Sequence, residues 1–134
     1  MHEGPAGVGG WLLVVCALLL VWHPLSLGLA ASSVLNALPL RGTPLALVLM
    51  LRLAVTALGV AAGLALAAQR AGAVTFAKTA ILVSAATDVF VYSTPFYPNN
   101  RLPGDTIWYV AVSMVYHGML LGYLVRSRRV RNTY

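Results

Sequence analysis

Four long apolar stretches, 9–31, 44–68, 75–93 and 106–125, take up most of this 134-residue chain. Each approaches the ~20 residues that a helix needs to cross ~30 Å of hydrocarbon. Lipid offers no partner to a backbone amide, so each stretch must satisfy its own hydrogen bonds, and a helix is the form that does so. The sequence therefore predicts an all-α, polytopic membrane protein with four spanning helices in a single domain covering 1–134. Only 9% of the residues are charged and 60% are hydrophobic, whereas a soluble domain carries about a quarter charged residues. Little chain remains for a soluble catalytic unit.

The formal charge of +6 and a pI of about 10.1 raise nucleic acid as a partner, but the placement of charge argues against it. Arg126, Arg128, Arg129 and Arg131 follow directly on the last apolar stretch, with no interleaved aromatic platform for bases. Such a run suits the cytoplasmic edge of a transmembrane helix, where it meets lipid headgroups. Arg70 lies in the second link and Lys78 just beyond it, while Arg41 and Arg101 fall in the other two links. This bias predicts that both ends face the cytoplasm. The first stretch follows a leader without Lys or Arg and is interrupted by His23–Pro24, so a retained helix is expected in place of a cleaved signal peptide. Cys16, the single cysteine, has no internal partner and reads as a small core hydrophobe.

Pro24 removes a helix hydrogen bond, which predicts a kink near His23 or an early end with re-entry. The first link is expected over 32–43, with Pro44 suited to the first helical position. The second is expected over 69–74. The third, 94–105, carries Pro95, Pro98 and Pro103 and cannot be helical; its Phe96 and Tyr97 would join Tyr92, Trp108 and Tyr109 in an interfacial aromatic belt. Asp105 or Thr106 can cap the fourth helix.

The opening Gly9-Gly10-Trp11-Leu12-Leu13, the Leu-rich helix after it and then Pro24 resemble the start of a bacterial inner-membrane family. That family is the domain of unknown function numbered 2569, whose members are small four-helix proteins. The basic link at Gln69–Arg70 is similar in kind, while the Pro-rich link after Tyr92 has no counterpart in the resemblance. It implies architecture and a multi-pass place in the bacterial inner (cytoplasmic) membrane, and brings no activity with it.

Charged residues within the spans are expensive to insert and are the natural candidates for a site. Antiparallel neighbours put Arg52 and Asp88 in one leaflet, offset in depth by about 4–5 Å at ~1.5 Å per residue. Ser84, Thr87 and Asp88 share a face, as do Arg52 and Thr56. A structural ion pair is the simpler expectation, a proton or anion relay the sharper one. His23 and His117 are possible ligand contacts, but two isolated histidines are a weak haem signal; in a bundle they more often bond a neighbour such as Ser26 or Ser113. No cofactor is expected. No metal-ligand spacing, phosphate loop or nucleophile motif is present, so an enzyme is not expected.

Two small-residue motifs, Gly59-x-x-x-Gly63 and Gly118-x-x-x-Gly122, create close-packing helix faces. They serve either packing within the bundle or docking to another membrane subunit. The leading expectation is a small accessory, assembly or stabilising subunit of a larger membrane complex, with lipid and other integral membrane subunits as partners. The alternative is an oligomeric transport or proton/ion relay protein using Arg52, Asp88 and the histidines.

Overall fold

The computed structural model describes residues 7, 9–35, 38–93 and 106–134. Among them the chain is about 90% helical, with no strand. The elements are α1 (Trp11–Ala17), a π-helical segment (Leu18–Trp22), α2 (His23–Val34), α3 (Leu38–Arg41), α4 (Thr43–Ala67), α5 (Ala73–Ser93), α6 (Thr106–Arg126) and α7 (Arg128–Thr133). Helix α1, the π segment and α2 run on without a break and make the first span; α4, α5 and α6 are the other three. All four are long and apolar enough to cross a membrane. No more than 39% of any apolar window is buried within the chain, so most of this surface requires lipid or another apolar partner.

The helix neither stops nor re-enters at Pro24. A proline ring presses on the carbonyl four residues back and donates no hydrogen bond to it. Here that carbonyl, Leu20, lies inside the π segment, where the His23 N–H reaches back five residues to Leu18. The widened turn absorbs the proline's demand and lets the rod continue. The first link is also shorter than the composition suggested. Helix α2 runs on to Val34, Leu38–Arg41 is helical, and Gly42 (φ 67°) turns the chain into α4, where Pro44 follows Thr43. Phe96, Tyr97, Arg101 and Asp105 lie outside the described residues.

Helix α4 ends on a left-handed residue, Gln69 (φ 53°). The Arg70 N–H bonds the Ala65 carbonyl at 3.0 Å and the Gln69 N–H bonds Leu66 at 3.1 Å, the paired bonds of a Schellman ending. The turn brings α5 straight back along α4. Ala62, Ala73, Ala77 and Ala80 are fully or nearly fully buried, and such small residues let membrane helices approach closely. The spans pack in sequence: first on α4, α4 on α5, α5 on α6.

Two apolar clusters occupy opposite ends of the bundle. The larger joins Leu12, Cys16, Leu19, Leu66, Ile81 and Leu124, with Val130 of α7; the smaller joins Leu45, Val48 and Val91. Buried Cys16 is thus part of the core.

The basic run is not a simple extension of α6. Ser127 is extended (ψ 127°) and its hydroxyl accepts from Val130 N–H, capping α7. Helix α7 turns Val130 into the core and seats Tyr134 against it, where the Tyr134 O–H donates to the Leu66 carbonyl. At the same end Gly7 N–H donates to Thr133 Oγ1 at 2.8 Å. Arg129, expected at lipid headgroups, is half-buried and points Nη1 at the Gly7 carbonyl, 3.4 Å away, because Gly9 and Gly10 leave it room beside the backbone. Arg126, Arg128 and Arg131 remain exposed.

Candidate functional site

Between the two apolar clusters lies a polar layer to which all four spans contribute. Arg52 of α4 and Asp88 of α5 face each other, with Nη1 4.0 Å from Oδ1, the length of a loose ion pair. The other carboxylate oxygen is better served: Ser113 Oγ of α6 donates to Asp88 Oδ2 at 2.7 Å, a charge-assisted bond.

His117 continues the chain of contacts. Its Nδ1 lies 2.8 Å from the Ser113 carbonyl and 3.3 Å from Ser113 Oγ, while Nε2 lies 3.1 Å from Ser84 Oγ on α5. A carbonyl oxygen only accepts, so Nδ1 carries the proton, and in neutral His117 the Nε2 accepts from Ser84. The residue is 3% exposed, and both ring nitrogens are engaged. His117 as placed therefore offers no free nitrogen to a paired-histidine ligation with His23. Among the described residues no three His, Cys, Asp or Glu side chains group as metal ligands.

His23 differs. It stands on the first span against Gly59, where a Cβ would lie in ordinary contact, 3.5 Å from His23 Nδ1. Its ring contacts Tyr116 at 6.2 Å and His117 at 6.4 Å between centroids. His23 Nε2 and Tyr116 Oη are both buried and make no hydrogen bond within the described residues.

These groups line a partly open cavity of about 530 Å³ between the first span, α4, α5 and α6. Tyr92 and Tyr109, in ring contact at 5.6 Å, stand on its wall with Trp22 and Trp108. Trp22 is 49% and Trp108 72% exposed, so the wall continues to the outer surface, where the first span and α6 lie less closely than the sequential neighbours.

Of the residues singled out by sequence, Arg52, Asp88, His23 and His117 come together here. The glycines divide. Gly63 packs inside the bundle, where a Cβ would meet Leu19 Cβ and Leu20 Cγ at 3.0 Å, whereas Gly118 and Gly122 face open space. Packing within the bundle thus explains the α4 motif and not the α6 one. Tyr116 was missed, although it sits on the α6 face that also carries Ser113 and neighbours His117. No protein-family model, curated protein or solved structure matches this chain.

Proposed function

We propose that this chain is a multi-pass membrane protein that binds a small ligand in the cavity between its four spans. We place it in the bacterial inner membrane with both ends cytoplasmic. The observation that carries the reading is the cavity itself. Its volume, about 530 Å³, falls among pockets that hold small organic molecules, roughly 300–1,000 Å³. Polar atoms without partners in a low-dielectric wall cost free energy that a ligand recovers.

The cavity also bears on the relay reading. A single copy of the chain supplies every wall, so binding needs no self-association. The hydrogen-bonded chain ends at Ser84, and beyond it Ala80, Ile81 and Leu120 belong to the buried apolar core. A path that stops in an apolar plug favours binding over conduction across the membrane.

The test is thermal unfolding of the purified chain in mild detergent with small phenols and other neutral ring compounds. A ligand held by the folded state stabilises it by ~2.7 kcal/mol at a hundred times Kd. The midpoint should rise in wild type and stay unchanged in Val55→Phe, which fills the cavity from α4. A flat response to every compound overturns the reading.

A second reading rests on Gly118 and Gly122, which leave a smooth outward strip on α6. It supports the accessory role, with that strip against a helix of another membrane subunit.

A further inference from the structure

We infer that the ligand of this cavity is an uncharged, planar ring bearing carbonyl oxygens, a lipid-soluble quinone in chemical class, with one oxygen taken by the Tyr116 hydroxyl and His23 Nε2 beside it. The inference rests on the binding reading above and names what that site selects.

Four features of the wall converge on this class. The first is access. Trp22 and Trp108 carry the wall out to a surface that faces lipid in a spanning bundle, so the ligand enters from the bilayer and is itself lipid-soluble.

The second is charge. Arg52 and Asp88 oppose each other at 4.0 Å, and Asp88 is further held by Ser113. The site has already balanced its own charges. A charged ligand would leave one charge uncompensated in low dielectric, which is costly.

The third is shape. The rings of His23, Tyr116 and His117 form one contacting group, with centroids 5.1–6.4 Å apart, and Tyr92 with Tyr109 forms another. Flat faces of this kind favour a flat guest through stacked or edge-to-face contact.

The fourth is hydrogen bonding. Among the described residues, His23 Nε2 and Tyr116 Oη are two buried side-chain atoms left without a hydrogen bond. A phenol O–H donates readily, and His23 donates from Nε2 in one of its neutral tautomers. Two adjacent donors call for acceptor oxygens on the guest. A hydrocarbon ring would leave both unsatisfied.

The experiment compares three probes carrying the same ten-carbon tail: decyl-benzoquinone, decylbenzene and decylbenzoate. Each is titrated at matched mole fraction into detergent micelles holding the full chain, and affinity is read from the rise in unfolding midpoint. The quinone should bind most tightly. Tyr116→Phe, which removes one oxygen and no existing hydrogen bond, should weaken quinone binding about five- to tenfold and leave decylbenzene unchanged. His23→Leu should weaken it similarly, and His23→Gln, which keeps a donor, should restore part of the affinity.

Equal binding of quinone and decylbenzene, or an unchanged quinone affinity in Tyr116→Phe, would overturn the ligand class while leaving the cavity reading intact. Tightest binding of the benzoate, lost in Arg52→Gln, would also overturn it in favour of an anionic guest. If none of the three probes and no phenol shifts the midpoint, the binding reading itself falls.

Discussion

His117 sits where one proton decides the direction of a hydrogen-bond chain. Because the Ser113 carbonyl can only accept, the hydrogen of the neutral ring stands on Nδ1. Nitrogen NMR of histidine-labelled protein should show the neutral form of His117 as the Nδ1–H tautomer, and Ser84→Ala should shift its Nε2 resonance. An Nε2–H form would contradict the geometry. A second expectation concerns the ion pair beside it. Asp88→Asn and Arg52→Gln should each lower detergent stability by about 1–3 kcal/mol, since each leaves a charge without compensation. In the double variant part of that loss should return; strictly additive losses would show that the two side chains do not couple. Arg52 opposite Asp88 was legible in the sequence, because antiparallel spans of known rise fix relative depth. The bond from Ser113 to Asp88 and the contact of His23 with Tyr116 were not. Depth follows from counting residues, whereas facing depends on how each helix is rotated about its axis, which packing decides.

At the scale of elements, two identical spacings meet opposite fates. Gly63→Leu should cost about 2 kcal/mol or more, because the Cβ alone meets Leu19 and Leu20 at 3.0 Å and the rest of a leucine must push them further. Gly118→Leu and Gly122→Leu should leave the unfolding midpoint of the isolated chain unchanged. If the α6 strip serves a partner, those two variants should instead lose co-purification with it. Destabilisation by Gly118→Leu alone would refute the outward placement. The motif was readable in both helices, but the neighbour was not, since spacing identifies a smooth face without saying what lies opposite. Helix α7 teaches the complementary lesson. The basic run reads as solvated, yet Ser127 followed by Val130 and Tyr134 is a cap followed by an apolar pair at i, i+4. That signal was present beneath the arginines.

At one end of the whole molecule Gly7 meets the segment that follows α6. Burial pushes the Tyr134 hydroxyl up to about 12, with a smaller effect from Cys16. An acid whose folded-state pKa is raised above its unfolded value of 10.0 adds stability in its protonated form. That contribution is full below about pH 10 and is lost as pH rises through about 12. Tyr134→Phe should therefore lower stability by about 0.5–1.5 kcal/mol near neutral pH and flatten the alkaline limb of the stability profile. Orientation is tested separately. The clasp places Gly7 and Thr133 at one end of the bundle, and the proposed topology takes that end as cytoplasmic from the Lys/Arg bias. An alkaline phosphatase fused after Tyr134 should be inactive; activity would invert the assignment.

The same clasp has a consequence for biosynthesis. Gly7 and Thr133 are 126 positions apart, an interval that a ribosome covers in roughly 6–25 s at ~5–20 residues per second. Throughout that time the first helix can insert, yet the groups that fasten its lead-in do not exist. A chain released before Thr133 would carry all four spans and still lack its latch. The clasp therefore closes late in the order of synthesis, after the fourth span is already made.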